Sequence, residues 1–278
     1  MEKLNKNILL NKLEYAVRLL YVNTITHVNN SVLVVEYPKS GGTWLAQLIS
    51  GILNIPFPRN TFPTTSRALY HSHYQPKYLI DKNKKIVLLI RDGRDIIVSS
   101  YFHYLIWNDK NKQNPKLVNY YRNNLQFEDY DDIRKNLPKF IEFMFKDEPS
   151  RLKFFNYPGN WTTYNKKWLK RAKNQSNIFI IKYEDLLGNA NLQMKNLIDY
   201  HFNFDNENVD ERIKEVVFKY SFENQTKRHS GVEDKSNFLR KGIAGDWKNY
   251  FNEEAKDVFK KYGGSMLIQL GYEENNEW

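Results

Sequence analysis

Tyr37-Pro38-Lys39-Ser40-Gly41-Gly42-Thr43-Trp44, read as YPKSGGTW, follows the apolar run VLVVE and leads into LAQLISGIL. Trp44, Leu45, Leu48, Ile49, Ile52 and Leu53 recur with a period near 3.6, which predicts a helix beginning around Thr43. A strand, a glycine turn and a helix start make an anion site. The first N–H groups of a helix lack intrahelical partners, and the macrodipole adds partial positive charge there. Gly41 and Gly42 let an anion approach the backbone, Lys39 adds a full charge, and Ser40 and Thr43 add hydroxyls. An ordinary strand–helix turn that happens to hold Gly-Gly is the plain alternative. The loop is not a Walker A motif, in which the lysine follows the last glycine beside a Mg²⁺-binding hydroxyl.

Working outward, Val32–Val35, Ile86–Ile90 and Ile178–Ile181 are short apolar runs, each followed by polar residues and a helical pattern. Strands alternating with helices predict an α/β fold with a parallel sheet, whose ligands sit beyond the carboxyl ends of the strands. RDGRD, after the second run, leads into the predicted helix IIVSSYFHYLIW. The expected organisation is one domain over 1–278, with a divergent insertion of loops and short helices at about 104–160 covering one face of the sheet.

The 278 residues include 41% apolar and 15% aromatic side chains, enough for a sizeable core and too many for global disorder. There is no cysteine, which excludes disulfides, thiolate metal sites and cysteine nucleophiles. No stretch reaches the ~20 apolar residues of a membrane span. Near the N-terminus Leu9, Leu13, Val17 and Leu20 lie at helical spacing among Asn11, Lys12, Glu14 and Arg18, and an amphipathic helix packed on the domain is expected. These features fit a cytoplasmic protein. The net charge of +10 favours phosphate-bearing ligands, although the lysines are spread along the whole chain.

At this point the sequence resembles the cytosolic-type sulfotransferases that use 3′-phosphoadenosine 5′-phosphosulfate (PAPS), and in particular bacterial members acting on small molecules. Their first motif, Y-P-K-S-G-T-T-W, is matched at seven of eight positions, with Gly42 in place of a threonine. The resemblance implies a three-layer, P-loop-like fold with a central parallel sheet flanked by helices. It implies that Lys39, Ser40, Gly41, Gly42, Thr43 and Trp44 hold the 5′-phosphosulfate, with Trp44 beside the adenine. IRDGRDIIVSSYFHY matches the segment that binds the 3′-phosphate, giving Arg91 as its bidentate ligand and Ser99 on the following helix. FLRKGIAGDWKNYF matches the R-K-G loop, so Arg240, Lys241 and Gly242 would close over the same phosphate. IKYEDLL gives Tyr183 as an adenine contact, and YSFENQTKR gives Ser221 and Phe222, with Tyr220 in place of the usual threonine. The matches run from about Val32 to Phe251, and residues 104–160 carry little of them.

Sulfuryl transfer needs a base for the acceptor and charge to balance the leaving phosphate. In HSHYQP the resemblance makes His73 the base, while His71 replaces a family lysine and is the second catalytic candidate, either protonated against the sulfate or with the roles of the two histidines reversed. Lys39 would assist the leaving group, and Ser99 would restrain Lys39 until the acceptor binds. The chemistry requires no metal, and two histidines without a further nearby histidine ligand or any cysteine argue against a metal site. PAP, the desulfated nucleotide, would be the product. The expected acceptor is a small molecule bearing a hydroxyl or amine-type nitrogen. Acidic residues in FEDYDD (Phe127–Asp132) and KDEP (Lys146–Pro149) suggest a cationic acceptor, with a solvated loop and helix cap as the plain alternative, and the resemblance to bacterial members implies a secondary metabolite such as a saxitoxin-type guanidinium toxin. Tyr101, Phe102, Tyr104 and Trp107 suggest instead a phenol or another flat acceptor. No nucleic-acid partner is expected. A nucleotide kinase with an atypical loop and a basic nucleic-acid-binding module are the remote alternatives. The family's dimer motif is poorly reproduced around Lys248, Asn252, Glu253 and Asp257, which leaves the oligomeric state open.

Overall fold

The computed structural model describes residues 13–14, 16–24, 28–58, 66–80, 84–146, 158–202 and 208–278. These fall into two compact units. The first comprises Met1–Ile90, Pro149–Gly159 and Thr163–Phe218, and the second Arg91–Glu148, Asn160–Thr162 and Lys219–Trp278.

The first unit is built on a parallel sheet of β1 (Val32–Glu36), β2 (Leu69–Ser72), β3 (Lys85–Ile90) and β4 (Ile178–Lys182), in the order β2-β1-β3-β4. β1 and β3 are the inner strands, and their side chains are almost all enclosed, which is why both read as unbroken apolar runs. The chain leaves β1 for one neighbour and later returns to the other, so the sheet reverses direction at β1 and β3, the place where α/β sheets hold ligands. Three of the strands lie where the sequence predicts them. β2 is the strand it does not predict. LYHS lies at the sheet edge and buries only its first residue, so it lacks an apolar run.

Helix α1 (Gly42–Leu53) begins one residue before the expected start. Leu45, Leu48 and Ile49 are fully enclosed, and burying each such side chain is worth ~1.5–3 kcal/mol. Asn54 ends the helix in the left-handed conformation (φ 51°), its N–H reaching the Gly51 and Ser50 carbonyls. The N-terminal helical residues 16–23 dock differently from the expectation. Leu13, Val17 and Leu20 are exposed, Leu9 lies outside the described residues, and Val22 is the residue buried. The attachment is largely polar: the Asn23 amide donates to the Tyr78 carbonyl at 2.8 Å and accepts from the Ile80 N–H at 2.8 Å.

The second unit is helical. Its principal elements are α2 (Gly93–Leu105), α3 (Pro115–Asn124), α4 (Ile133–Lys146) and a C-terminal helix at Glu253–Gln269. Among the described residues, the 104–160 segment contains α3 and α4, of 10 and 14 residues, and the loops that join them. Leu137, Phe140, Ile141 and Met144 give α4 a helical apolar face that packs against the C-terminal helix. The KDEP residues after Lys146 lie outside the described residues. Pro138 interrupts α4 and cannot donate to the carbonyl of Arg134. Asn252 supplies the replacement: its Nδ2 donates to that carbonyl at 3.1 Å, while its Oδ1 caps the C-terminal helix at the Ala255 N–H, 2.8 Å away. No described helix is long and apolar enough to cross a membrane.

Asn252→Ala removes both bonds, and the expected loss is about 1–2 kcal/mol in chemical denaturation. A variant as stable as the parent would show that neither bond supports the helix pair.

Candidate functional site

The carboxyl end of β1 carries a buried charge. Glu36 is 3% exposed, and its Oε2 accepts a hydrogen bond from the Gly42 N–H at 2.5 Å. Its Oε1 lies 3.0 Å from His71 Nε2, and its main-chain carbonyl accepts from His73 Nδ1 at 3.1 Å. Because the Glu36 carbonyl can only accept, Nδ1 of His73 carries the proton and Nε2 keeps the lone pair. Burial alone would raise the Glu36 carboxyl. The hydrogen bond and charge of His71, with help from His73 and the Gly42 N–H, outweigh it and hold the group below its ordinary value. His73 is pushed down mainly by burial and then by the charge of His71; Glu36 partly opposes this, and Lys39 adds to it. Its base form is thus favoured.

Glu36 is the functional residue that the sequence reading missed. The signal was a glutamate closing an otherwise apolar inner strand, a position that demands a partner. Both departures from the family pattern at this end of the sheet meet on it. His71 is its ring partner. A Cβ on Gly42 would stand 2.5 Å from Glu36 Cδ and 2.6 Å from His71 Nε2.

The turn itself is shaped for close approach. Lys39 has φ 75° and Gly41 φ 103°, both left-handed, and a Cβ on Gly41 would strike the Tyr183 ring at 2.8 Å. Tyr183 is buried and meets Trp44 edge-on at 6.0 Å. Ser40 is buried, and its hydroxyl donates to the Tyr37 carbonyl at 2.8 Å, closing the turn rather than pointing a donor at a ligand. The Gly42 N–H is likewise held by Glu36 rather than left open. Thr43 is half-buried in the first turn of α1, which has no side-chain cap and no acidic residue. Trp44 Nε1 is buried with no acceptor among the described residues. A helix start, a lysine and a buried indole donor without an acceptor among the described residues suit an anionic nucleotide, with Glu36 already holding the first N–H of the helix. The first unit thus brings together Lys39–Trp44, His71, His73 and Tyr183.

The second unit gathers the remaining cations around Asp95, Asp246 and Glu233. Arg91 donates to the Ile243 carbonyl at 3.3 Å and lies 3.6 Å from Asp95. Asp95 also accepts from the Gly245 N–H at 2.7 Å and the Trp247 N–H at 3.0 Å, tying Arg91 to the loop that bears Arg240. Arg240 pairs with Asp246 and Glu233, and Lys241 Nζ reaches Asp246 at 2.7 Å. Burial would raise Asp246. The bonds from Lys241, Arg240 and Asn249 outweigh it and hold the carboxyl below its ordinary value. Gly242 has φ 66°, and the Phe222 ring lies against it, 2.4 Å from where a Cβ would stand. Ser221 caps the short helix Phe222–Thr226 by accepting from the Asn224 N–H at 3.3 Å. Ser99 is half-buried on α2.

The proposed acceptor residues are partly committed elsewhere. Tyr101 is fully enclosed and bonded to the Tyr130 carbonyl and Asn136, and Phe102 is buried under the Arg240 guanidinium. Tyr104 is stacked on Tyr121 at 4.3 Å, and burial pushes its phenol up to about 12. Trp107 is half-buried. In FEDYDD, Asp132 accepts from the Lys135 N–H at 3.3 Å in the first turn of α4, the role of a helix cap.

The family model of the sulfotransferase domain matches residues 58–271, beginning after the Lys39 loop. The chain therefore belongs to the sulfotransferase family. Among its relatives, rat sulfotransferase 1E1 is 25% identical over 281 residues, covering 87% of this chain and 84% of the relative. Human sulfotransferase 2A1 is 24% identical, covering 87% and 86%. Among solved structures, mouse sulfotransferase SULT7A1 complexed with PAP superposes with a TM-score of 0.63 at 20% identity, covering 90% of this chain and 89% of that one. Retinol dehydratase in complex with retinol and PAP gives 0.59 at 19% identity, covering 89% and 84%. These likenesses establish the P-loop-like α/β fold, a central parallel sheet flanked by helices.

Gly42→Ala forces the Glu36 carboxylate or the His71 ring aside, at an expected cost of about 1–3 kcal/mol in denaturation. Most of that cost should vanish in a Glu36→Ala background; equal costs in the two backgrounds would show that Glu36 does not set the requirement for glycine. A second expectation follows from Asp246. Its depressed carboxyl adds stability above the unfolded value of about 4, and this is lost as pH falls through the lower folded value. Asp246→Asn should therefore lower the melting temperature at pH 7, with the gap closing below about pH 4; a gap constant with pH would contradict it.

Proposed function

We infer that this sulfotransferase uses PAPS and passes its sulfuryl group to a hydroxyl or amine-type nitrogen of a small-molecule acceptor. The observation that carries the reading is His73: Nδ1 is pinned by the Glu36 carbonyl, and Nε2 is left with its lone pair on a ring close enough for the charge of Lys39 to bear on it. A base and a cation within electrostatic reach suit a reaction in which a proton leaves the acceptor while charge grows on a departing phosphate.

PAPS would supply the sulfuryl group, and PAP, the nucleotide in the two neighbouring structures, would be released. His73 Nε2 takes the acceptor proton as the new bond to sulfur forms. Lys39 balances the charge that grows on the phosphate oxygen as the old bond breaks. Lys39–Trp44 and Tyr183 hold the 5′ end and the adenine. Arg91, Ser99, Arg240, Lys241 and Gly242 take the 3′-phosphate, with Ser221 and Phe222 beside the adenine. Ser40 and Gly42 serve mainly by shaping the turn, since its hydroxyl and N–H bond within the protein. The proposal treats 1–278 as a single sulfotransferase domain of a cytoplasmic protein, with 104–160 serving the acceptor. The guanidinium-acceptor reading is supported by the exposed carboxylates of Glu128, Asp129 and Asp131. The phenol reading is supported by half-buried Tyr104 and Trp107.

PAP should raise the melting temperature well above the effect of ADP or ATP at equal concentration. Lys39→Ala and His73→Ala should each lower turnover at least ~100-fold, with His73→Ala keeping the PAP stabilisation. A near-normal rate in His73→Ala, or no preference for PAP, overturns the assignment. Labelled donor offered with guanidinium alcohols and with phenols separates the two acceptor classes.

A further inference from the structure

Glu36, His71 and His73 place one donor atom each within 4.8 Å of one another. The donors come from the ends of two neighbouring parallel strands, β1 and β2, so the main chain fixes their spacing. His71 lies on β2 and His73 is the first residue past its end, and the two rings meet edge to face with centroids 5.2 Å apart. We propose that these three side chains form a binding site for a divalent transition ion of the zinc class.

Two imidazoles and a carboxylate are the ligand types that zinc takes, with a fourth position left open. Bonds of about 2.0–2.1 Å in a tetrahedron set the donors roughly 3.3 Å apart. The 3.0 Å between His71 Nε2 and Glu36 Oε1 is already close to that spacing, and the third donor, within 4.8 Å of both, completes the set by a shift of the His73 ring. The outer contacts are also those of a metal site. Metal-bound histidines donate their other ring N–H to a carbonyl or carboxylate, and bound carboxylates are themselves hydrogen-bonded. Here the Glu36 carbonyl holds His73 Nδ1, and the Gly42 N–H holds the second oxygen of Glu36. Gly42 keeps the donors clear, since a Cβ there would stand 2.6 Å from His71 Nε2 and 2.7 Å from Glu36 Oε1. The His71 side chain is 14% exposed, which gives an ion a way in.

Glu36 is what changes the reading. The two histidines alone offer too few ligands, and the third comes from a residue 35 positions before His71 that only the fold brings alongside. On binding, the ion takes the place of the proton that His71 Nε2 shares with the Glu36 carboxylate; a neutral ring takes a proton up at Nδ1 in exchange, an imidazolium releases one to solvent, and the bound ring is neutral either way. His73 Nε2 then bonds to the ion and no longer accepts a proton, so the ion inhibits transfer reversibly. That consequence, though not the site, rests on His73 being the base.

The test uses the full chain, stripped with a chelator and dialysed against Zn²⁺ alone. About one equivalent should be retained by elemental analysis. Glu36→Gln and His71→Asn should each weaken binding at least tenfold. His229→Asn, in the exposed His229–Glu223 pair, should leave it unchanged. Co²⁺ added to the unaltered chain should give the visible absorption of a nitrogen–oxygen tetrahedral site, a readout that needs no variant to fold. No retained equivalent, no cobalt spectrum, or full binding by folded Glu36→Gln overturns the proposal and leaves only a hydrogen-bonded pair. Neither measurement needs nucleotide. Stabilisation by PAP without zinc uptake therefore sinks the metal site alone, and zinc uptake without a PAP response sinks the donor reading alone.

Discussion

Glu36 ends an inner strand with a carboxylate that has almost no access to water, and the surrounding chain is arranged to satisfy it. An unpaired buried carboxylate would cost far more than any single packing contact returns. Its two oxygens are met by the first N–H of α1 and by the ring of His71, and its carbonyl by the ring of His73. The start of the helix, the edge strand and the His73 ring are therefore referred to one residue. Moving that carboxylate would shift the turn and both imidazoles together, so the geometry of the site depends more on this hub than on the packing of the sheet.

The second unit follows the same logic with other residues. Arginines and lysines meant for an anion repel one another and lack fixed positions unless something opposite in charge holds them. Asp95 is shared by Arg91 and two main-chain N–H groups of the Gly245–Trp247 loop, and Asp246 by Arg240, Lys241 and Asn249. These carboxylates leave the guanidinium groups pre-oriented. Under the proposed function a phosphate would meet a formed cradle and would not have to assemble one, which lowers the ordering cost of binding.

The legible parts of the molecule were those in which side-chain pattern and backbone state coincide. β1 and β3 announce themselves because enclosed parallel strands are apolar at nearly every position, β4 because it is an apolar run even though only Ile178 and Ile181 are buried, and α1 because its buried face repeats every turn. β2 was not legible as a strand: at the edge of the sheet, three of its four residues stay partly exposed, so chemistry rather than burial chose them. The N-terminal helix misled because apolar spacing shows that a face exists, not that anything covers it; Asn23, a polar residue, does much of the anchoring. Lys39, His73, Arg91 and Arg240 could be named from local motifs. Glu36 could not, because its partners lie six and thirty-five positions away and meet only once β1 and β2 pair.

The two departures from the family pattern on this side of the sheet are therefore best understood as one. A threonine at position 42 would carry a Cβ into the space that Glu36 and His71 occupy, so a carboxylate at position 36 is compatible with glycine and little else there. The same carboxylate needs a donor of fixed reach on the neighbouring strand. An imidazole, planar and short, meets it at 3.0 Å, whereas a lysine has a long flexible stem to order first. With His71 engaged by Glu36, the proposed mechanism assigns the positive charge offered to a departing phosphate at this loop to Lys39. That residue sits at φ 75°, in a conformation that non-glycine residues seldom adopt and that the surrounding turn must hold in place.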